Sequence, residues 1–247
     1  MAATHAHVKL LEMTENPLTL IYVAFRQCYS PGWAGDMCDQ KISEEQKAGF
    51  IREVLGSGHE SPLEHVKFTF AIEGVSRALT HQLVRYRIAS YSQQSQRYVN
   101  MNDFNYIVPP SIARDNDLRQ RFVAMMEQIQ QGYRALVDGF TRKGITGEKA
   151  HEDARFVLPQ AAETKIVVTM NCRELLHFFS QRCCRRAQWE IRALADTLLG
   201  ICREKLPAVF EHAGAKCERL GYCTEGKFSC GKYPTREALI QGSEKSP

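Results

Sequence analysis

The strongest constraint on this chain is the segment 81–98, which contains three arginines and no carboxylate. Arg85, Arg87 and Arg97 lie within thirteen positions, and most of the residues between them carry hydroxyl or amide groups. A structural surface normally mixes both signs of charge. The segment is therefore predicted to hold an anion from outside, because guanidinium groups bind phosphate bidentately, with roughly 1.5–3 kcal/mol per charge-assisted hydrogen bond.

The composition is that of an ordinary globular protein. At 247 residues, the chain is long enough for one large domain or two small ones. A net charge of +4 does not by itself indicate a nucleic-acid partner, and it fits a basic pocket for small anions. Nine cysteines without a secreted spacing pattern, and no signal peptide, predict reduced thiols in the cytoplasm. The longest purely apolar run, 20–25, is too short to span a membrane.

Periodicity and capping signals predict alternating strands and helices, with no internal repeat and no linker. The predicted strands cover 8–13, 66–73 and 164–170. The predicted helices cover 17–29, 44–56, 77–85, 117–142, 171–182 and 187–213, and a shorter helix ends before Pro159. We expect residues 1–232 to form a single α/β domain of the α+β type, with a central, mostly antiparallel sheet flanked by long helices. Residues 233–247 are predicted to be a flexible tail.

A second polar cluster lies on the helix predicted at 171–182. Arg173 and His177 are one turn apart on one face, whereas Asn171 and Arg182 are about three turns apart and are predicted to share another face. A surface helix with solvated charges explains Arg173 as well as a ligand site does. Arg182 is expected to lie near packed surface, because phenylalanines precede it and a tryptophan follows.

Other candidate residues also have structural interpretations. Arg155 fits a salt bridge with Glu152 as well as it fits a ligand contact, and a lone His59 is more often structural than catalytic. The cysteines at 217, 223 and 230 are spaced too widely for the usual zinc-binding pairs, so no metal site is predicted. The chain contains neither a P-loop nor a Gly-x-Gly-x-x-Gly motif, so side chains would have to bind any nucleotide.

Arg85-Tyr86-Arg87, followed after seven residues by Ser95, resembles the Arg-His-Arg-x7-Ser signature of the flavin-dependent thymidylate synthases. Further segments are similar to other blocks of that family and occur in the same order: 59–65, 155–159, 171–175 and 182–191. The resemblance implies reductive methylation of dUMP to dTMP. Methylenetetrahydrofolate would be the carbon donor, FAD the cofactor and NADPH the hydride source, with no enzyme cysteine nucleophile. It also implies a homotetramer with active sites shared between subunits. Neither nucleic acid nor a membrane is expected as a partner.

The resemblance also assigns residues. Those implied to line the flavin are Ser61, Arg85, Tyr86, Arg87, Gln93, Asn171, Arg173 and His177, with His59 as a further candidate. Those implied to hold dUMP are Gln82, Leu83, Val84, Arg85, Gln93, Gln94, Ser95, Gln96, Arg97, Arg155 and Arg182. Arg182 is the implied catalytic residue, facing the uracil ring and favouring negative charge at N3. Tyr86 replaces the central histidine of the motif, and a phenol cannot carry the positive charge of an imidazole.

Two other classes of function remain open from the sequence. Tyr86, Tyr91 and Tyr98 alternate with the arginines, an arrangement also found in modules that bind single-stranded nucleic acid. A methyltransferase with a cysteine nucleophile would use Cys183 or Cys184, whose thiol pKa neighbouring arginines could lower. No base follows from the sequence for either cysteine, which favours a buried structural role.

Overall fold

The structure, a computed structural model, describes residues 2–243 and is built on a four-stranded antiparallel sheet. The strands follow the order β1-β2-β4-β3 across the sheet: β1 (His7–Met13), β2 (Lys67–Ser76), β3 (Ala89–Gln93) and β4 (Glu163–Asn171). Side chains of β2 alternate between buried and less buried positions over its first seven residues, as its sequence pattern predicted. The predicted α/β class, with an antiparallel sheet and long helices, is confirmed.

Helices account for most of the remaining regular structure. The α-helices are α1 (Pro17–Tyr29), α2 (Ala34–Cys38), α3 (Glu44–Gly56), α4 (Arg77–Leu83), α5 (Pro110–Ala113), α6 (Asn116–Arg142), α7 (Glu148–Ala154), α8 (Cys172–Arg182), α9 (Trp189–Lys205), α10 (Pro207–Phe210), α11 (Lys216–Leu220) and α12 (Arg236–Ser243). Short 3-10 helices lie at Ser61–His65, Arg155–Val157 and Gly226–Phe228. Within residues 2–243, no helix is both long enough and apolar enough to cross a membrane.

Side-chain caps set the start of the two helices that carry most of the candidate residues. Ser76 Oγ accepts a hydrogen bond from the Leu79 amide at 3.0 Å and begins α4. Asn171 Oδ1 accepts one from the Glu174 amide at 2.8 Å and begins α8. Each cap satisfies an amide that the helix itself leaves unpaired. The Ser76 cap forms at the helix start that the sequence predicted, whereas Asn171 was predicted inside α8 and is its cap.

The prediction of one helix over 187–213 is wrong. Helix α9 ends at Lys205, and α10 begins at Pro207. Proline disfavours helical geometry in the residue before it, and Leu206 has φ −145° and ψ 66°. Two further helices, α11 and α12, follow α10. Helix α12 lies within the predicted tail of residues 233–247, of which 244–247 fall outside the described residues.

The chain divides into two compact units, and each of the four strands contributes residues to both. The first unit comprises the chain up to Lys9, Ala71–Arg85 and Tyr91–Val168. Its core includes Met101, Phe104, Tyr106, Met126, Tyr133, Ala154 and Ala162. Helices α6 and α7 supply part of this core, so α7 is held in a fixed position within the unit.

The second unit comprises Leu10–Phe70, Tyr86–Ser90 and the chain from Thr169. Its core contains a cluster of aromatic rings in which Phe210 packs edge-on against Phe68 at 5.8 Å and against Phe179 at 6.0 Å between centroids. Phe178 and Phe179 on α8 are fully buried. Burial of such side chains is worth roughly 1.5–3 kcal/mol each, so it anchors α8 firmly. The polar residues of α8 are thereby held in place.

Candidate active site

In the second unit, Arg182 lies at the C-terminal end of α8 and is held by a neutral partner. Its Nε donates a hydrogen bond to the hydroxyl oxygen of Tyr86 at 2.8 Å, and its guanidinium lies 5.5 Å from the centre of the Tyr86 ring. No carboxylate in residues 2–243 pairs with Arg182. Its positive charge is therefore available to a ligand.

Further hydrogen bonds connect Tyr86 to other residues of α8. The Tyr86 hydroxyl donates to Gln181 Oε1 at 2.9 Å, and Gln181 Nε2 lies 3.1 Å from His177 Nε2. Because an amide nitrogen can only donate, His177 Nε2 accepts this bond, which places the ring proton on Nδ1. Burial raises the pKa of Tyr86 above its usual value, although Arg182 opposes the shift. Tyr86 therefore stays a neutral phenol at physiological pH.

A cleft of about 580 Å³ opens beside Arg182 and is called the Arg182 cleft. Its charged lining comprises Arg182, Arg186, Lys216, Arg219 and Glu225, and His177 also lines it. The volume lies within the usual range for ligand sites. Glu225 is paired with Arg186, and Arg219 lies 3.5 Å from Glu60, so the excess positive charge of the cleft comes from Arg182 and Lys216. This charge balance suits a ligand that carries phosphate or carboxylate groups.

A second cleft of about 480 Å³, the Arg173 cleft, is lined by Asn171, Arg173, His177, Glu60 and Glu64, among others. The predicted proximity of Arg173 and His177 is confirmed, because both line this cleft. Arg173 forms an ion pair with Glu64 and lies 4.0 Å from Glu60. The positive charge of Arg173 is therefore largely balanced within the chain.

Asn171 and Arg182, which were predicted to share a face of α8, line different clefts. Asn171 lines the Arg173 cleft, whereas Arg182 lines the Arg182 cleft. Asn171 is the N-cap of α8 and has extended backbone angles, φ −78° and ψ 165°. Helical periodicity does not strictly extend to a residue outside the helix, so the shared face stays a prediction.

His59 and Ser61 form a small network in the second unit. His59 Nδ1 lies 2.9 Å from the Tyr29 hydroxyl, and His59 Nε2 lies 3.1 Å from Ser61 Oγ. The ring also packs edge-on against Phe25 at 5.3 Å. Both ring nitrogens of His59 have partners in the chain, which supports the structural interpretation. Arg87, in the same unit, is exposed and forms no ion pair with any described residue.

In the first unit, the residues at the end of α4 differ sharply in exposure. Leu83 is fully buried and its carbonyl accepts from Tyr91 at 2.8 Å, so its side chain cannot contact a ligand at the surface. Val84 and Arg85 are exposed, and Gln82 is half-buried. Arg85 Nε donates to the His81 carbonyl at 3.3 Å, and within the described chain Arg85 has no carboxylate partner.

The residues at the end of β3 and just after it already form several hydrogen bonds within the chain. Gln93 Nε2 donates to the hydroxyls of Thr80 at 2.9 Å and Thr164 at 3.2 Å, which leaves only its carbonyl oxygen for a ligand. Gln94 donates its backbone amide to Lys165, and Ser95 Oγ accepts from the Arg97 amide. Gln96 Nε2 is buried and has no hydrogen-bond partner among residues 2–243. Buried donors are rarely left unpaired, so this amide fits a polar ligand contact.

Arg97 belongs to the segment predicted to hold an external anion, and it is ion-paired within the chain. Its Nε lies 2.7 Å from Glu152 Oε2, and it also pairs with Glu148. Both carboxylates come from α7, more than fifty positions away in the sequence. The segment 81–98 lacks carboxylates, but the fold supplies two. The dUMP-binding role implied for Arg97 stays a prediction, and these two carboxylates already offset its charge.

Arg155 donates from Nε to the Glu152 carbonyl at 3.2 Å, and the anticipated salt bridge with the Glu152 carboxylate does not form. Arg77 is a nearby cation that the sequence analysis missed. Burial lowers the pKa of Arg77, and the charge of Arg155 lowers it further. Neither arginine pairs with a carboxylate among residues 2–243. Two neighbouring cations without a counter-ion fit an anion site.

Comparisons with known proteins identify the family of the chain. The profile of the thymidylate synthase complementing protein family (Thy1) matches residues 9–208, a range that contains every residue implied to bind flavin or dUMP but not Lys216, Arg219 or Glu225. A flavin-dependent thymidylate synthase of Nitratidesulfovibrio vulgaris is 59% identical over 97% of this chain and 100% of its own length. One from Clostridium tetani is 50% identical over 91% of this chain and 93% of its own. The chain belongs to the flavin-dependent thymidylate synthase family.

Solved structures support the same fold. A UMP/dUMP methylase, PolB from Streptomyces cacaoi, bound with 5-Br dUMP, has a TM-score of 0.70 to this chain. It is 24% identical, and the match covers 85% of this chain and 95% of that one. The resemblance inferred from the Arg85–Ser95 motif is confirmed at the level of family and fold.

The cysteines of this thymidylate synthase family member do not offer an activated nucleophile. All nine are free thiols. Burial raises the pKa of Cys183 far above its usual value, and Asp196 adds to the shift through charge and a hydrogen bond. The adjacent arginines therefore do not lower this pKa, contrary to what the sequence allowed. Cys183, Cys184, Cys217, Cys223 and Cys230 line one small cavity, but the described residues contain no group suited to holding a metal ion.

The residues present fit a flavin carrying a pyrophosphate. The cationic Arg182 cleft, exposed Arg87 and exposed Arg85 all offer charge to phosphate groups. Lys216 and Arg219 line both clefts and were missed from the sequence. They lie beyond the family match, in a segment rich in glycine and cysteine. Their local positive charge was the only signal that could have indicated them.

Proposed function

We propose that this protein catalyses the reductive methylation of dUMP to dTMP, using methylenetetrahydrofolate and FAD, with NADPH as reductant. One observation carries the proposal: the family match spans residues 9–208 and includes Arg182, whose charge no described carboxylate balances. A bound and reduced flavin would supply the hydride that converts the transferred methylene group into a methyl group.

Arg182 acts on the pyrimidine. Activation of C5 pushes electron density into the uracil ring, and a fixed guanidinium at the polar edge stabilises the negative charge that develops at N3. Such preorganised electrostatic contacts are commonly the largest contribution to catalysis. No covalent bond to the enzyme is needed, which agrees with the protonated state of Cys183.

The first unit supplies groups for binding dUMP. Arg85 and Arg155 are cations without a described carboxylate, and Gln96 has an unpaired buried donor. These groups suit the phosphate and the polar atoms of a nucleotide. The first unit thus carries the residues expected to hold the substrate, and Arg97 contributes less because Glu148 and Glu152 already balance it.

The second unit supplies the groups for FAD, with Arg87, His177 and the cationic lining of the Arg182 cleft as the main candidates. We also propose a homotetramer in which different subunits serve one active site. Mixing an inactive Arg155→Ala chain with an inactive Arg182→Ala chain tests this. Restored activity is expected, whereas an active monomer in solution would contradict it. The cytoplasmic location stays a prediction that rests on the free cysteines.

The experiment for the proposed function uses the purified protein. An absorbance spectrum should show bound flavin, NADPH should bleach it without oxygen, and dUMP with methylenetetrahydrofolate should restore the colour with formation of dTMP. Absence of flavin, or reoxidation without dTMP, would reject the proposal. The alternative of a single-strand-binding module has no support in the family match, and it predicts a colourless protein with salt-sensitive oligonucleotide binding.

A further inference from the structure

Tyr86 is the position at which this chain departs from the Arg-His-Arg motif, and its side chain is only 5% exposed. The ring packs edge-on against Phe178 at 4.9 Å and against His177 at 5.8 Å between centroids. A phenol covered in this way by α8 presents little surface to a flavin. The flavin-lining role that the family motif implies for Tyr86 therefore does not explain why its side chain is buried against α8.

The hydroxyl of Tyr86 is engaged on both sides. It accepts a hydrogen bond from Arg182 Nε at 2.8 Å and donates one to Gln181 Oε1 at 2.9 Å. Since a phenol has one proton, the bond to Gln181 leaves the oxygen lone pairs to face Arg182. The direction of both bonds is thereby fixed.

This arrangement orients the guanidinium of Arg182. A single bond at Nε, together with stacking of the guanidinium over the ring at 5.5 Å, restricts the plane of the group. In the part of the chain that is described, no group bonds to Nη1 or Nη2. These two nitrogens form the end of the fork and remain available to a ligand, which they can bind bidentately.

The neutrality of the phenol matters for the same reason. Burial raises the pKa of Tyr86, so the hydroxyl stays protonated at physiological pH even beside Arg182. A carboxylate in its place would hold Arg182 equally well but would cancel the charge that the pyrimidine needs. A neutral acceptor orients the cation and leaves its charge intact.

We propose that Tyr86 is a positioning residue of the methylation reaction, whose hydroxyl fixes the orientation of Arg182 toward the pyrimidine, and that it does not serve as a flavin contact. This inference rests on the proposed function. A hydroxyl that acts only through Arg182 affects the step that polarises the pyrimidine. It leaves flavin binding and reduction by NADPH unchanged.

Tyr86→Phe is the first test, because it removes the hydroxyl and keeps the ring that packs on Phe178. We expect kcat for dTMP formation to fall about tenfold or more, the scale of one hydrogen bond to a charged group. Flavin content and the rate of NADPH-driven flavin reduction should match the wild type. Tyr22→Phe, which removes a hydroxyl elsewhere in the second unit, is the matched control and should retain full turnover.

A double-mutant cycle separates positioning from independent action. In an Arg182→Lys background, where the Nε donor is absent, Tyr86→Phe should lower kcat by less than about twofold, because contacting residues that act as one unit are non-additive. If the full effect of Tyr86→Phe persists in that background, Tyr86 acts independently of Arg182 and the inference is wrong. Loss of flavin from Tyr86→Phe would also overturn it.

Tyr86→His restores the family motif and adds a pH signature. A neutral imidazole can accept from Arg182 Nε, so turnover should exceed that of Tyr86→Phe at pH 8. The charged and titratable groups facing this position are Arg182, His177 and Glu174, all on α8. A protonated imidazole cannot accept, so the variant should lose turnover as pH falls through about 6.5, unlike the wild type.

The outcomes are distinguishable from a failure of the proposed function. If the wild-type holoenzyme forms no dTMP from dUMP and methylenetetrahydrofolate, the function itself is wrong. If the wild type is active and Tyr86→Phe equals it in kcat, only the inference about Tyr86 is wrong. A pH profile of Tyr86→His identical to that of the wild type would likewise contradict it.

Discussion

Arg97 and Arg182 carry the same charge, but their surroundings are opposite. Arg97, in the first unit, lies between two carboxylates of α7, with 2.7 Å between its Nε and Glu152. Arg182, in the second unit, makes its Nε contact with a neutral phenol at 2.8 Å. The first guanidinium is neutralised within the chain, whereas the second keeps its charge for a ligand.

The difference teaches that an arginine is a candidate catalytic group only when its partners leave its charge uncompensated. A carboxylate holds a guanidinium strongly but neutralises its positive charge. A hydroxyl orients the guanidinium and leaves its positive charge available to a ligand. Arg173 resembles Arg97 in this respect, because Glu64 pairs with it. Arg85, Arg87 and Arg155 resemble Arg182, since none of them pairs with a described carboxylate.

The largest expected effect comes from Arg182. Arg182→Lys keeps the charge but loses the planar fork, so we expect turnover to fall at least about a hundredfold, the scale of removing a well-placed electrostatic donor. Flavin binding and its reduction by NADPH should persist, because neither requires a polarised pyrimidine. Parallel assays of flavin reduction and dTMP formation check this. A joint loss of both would make Arg182 a structural residue.

A smaller effect should distinguish Arg85 from Arg97. Arg85→Ala is expected to raise KM for dUMP about tenfold or more, as loss of one charge-assisted contact implies. Arg97→Ala should raise it by less than about threefold, because Glu148 and Glu152 already offset that charge. Steady-state kinetics at fixed cofactor concentrations measure both. Equal increases in the two variants would break the comparison.

The carboxylates of α7 provide the converse experiment. Glu148→Gln with Glu152→Gln removes the charge that balances Arg97 and keeps the side-chain shapes. The freed guanidinium should then attract the dUMP phosphate, so KM for dUMP should fall, by about twofold to fivefold if one partly screened contact is gained. An unchanged or higher KM would mean that Arg97 does not face the nucleotide.

Glu174 should have a still smaller effect, seen in stability. It lies on α8 with Arg182 but does not pair with it, and burial raises its pKa, opposed by His177. Because the pKa of Glu174 is higher in the folded state than in the unfolded state, its ionisation lowers the free energy of unfolding at pH values above the folded pKa. This destabilisation vanishes below the ordinary pKa of 4.5. Glu174→Gln should therefore raise Tm at pH 7 by on the order of 2 °C. The difference should shrink at pH 4, and a lower Tm at pH 7 would contradict this.

Cysteine substitution should have the least effect. Burial keeps Cys183 protonated, so Cys183→Ala with Cys184→Ala should retain turnover within about twofold of the wild type. If bound flavin and dTMP formation decrease to the same extent, the substitutions have disturbed the packing of the protein. Loss of dTMP formation alone, with normal flavin reduction, would favour the cysteine-nucleophile mechanism that the sequence left open.

Local signals in the sequence predicted much of the fold. Ser43 and Ser76 cap the helices that their positions indicated, because capping depends on residues only three positions apart, whereas Asn171 was predicted inside α8 and is its cap. Strand β3 was missed, since the polar segment 89–93 lacks the apolar alternation of β2. The break between α9 and α10 was missed because the apolar pattern continues past Pro207.

The candidate site was harder to predict, since charge balance depends on distant residues. Nothing near Arg97 in the sequence indicates Glu148 or Glu152, which α7 brings to it. In the same way, Tyr86 and Arg182 are ninety-six positions apart, and only the fold shows that they are hydrogen-bonded. Motif spacing identified the arginines, but it could not tell which of them remain uncompensated.

The N3 acidity of a bound pyrimidine tests the central claim most directly. 5-Fluoro-dUMP is bound to the FAD-loaded wild type, to Arg182→Gln and to Arg97→Gln, and ¹⁹F NMR follows the ionisation of N3 with pH. An uncompensated cation at the ring edge lowers the pKa of N3. We expect a lowered pKa in the wild type and in Arg97→Gln, and a value near that of the free nucleotide in Arg182→Gln. A lowered pKa that persists in Arg182→Gln, or one that disappears in Arg97→Gln, would contradict the account.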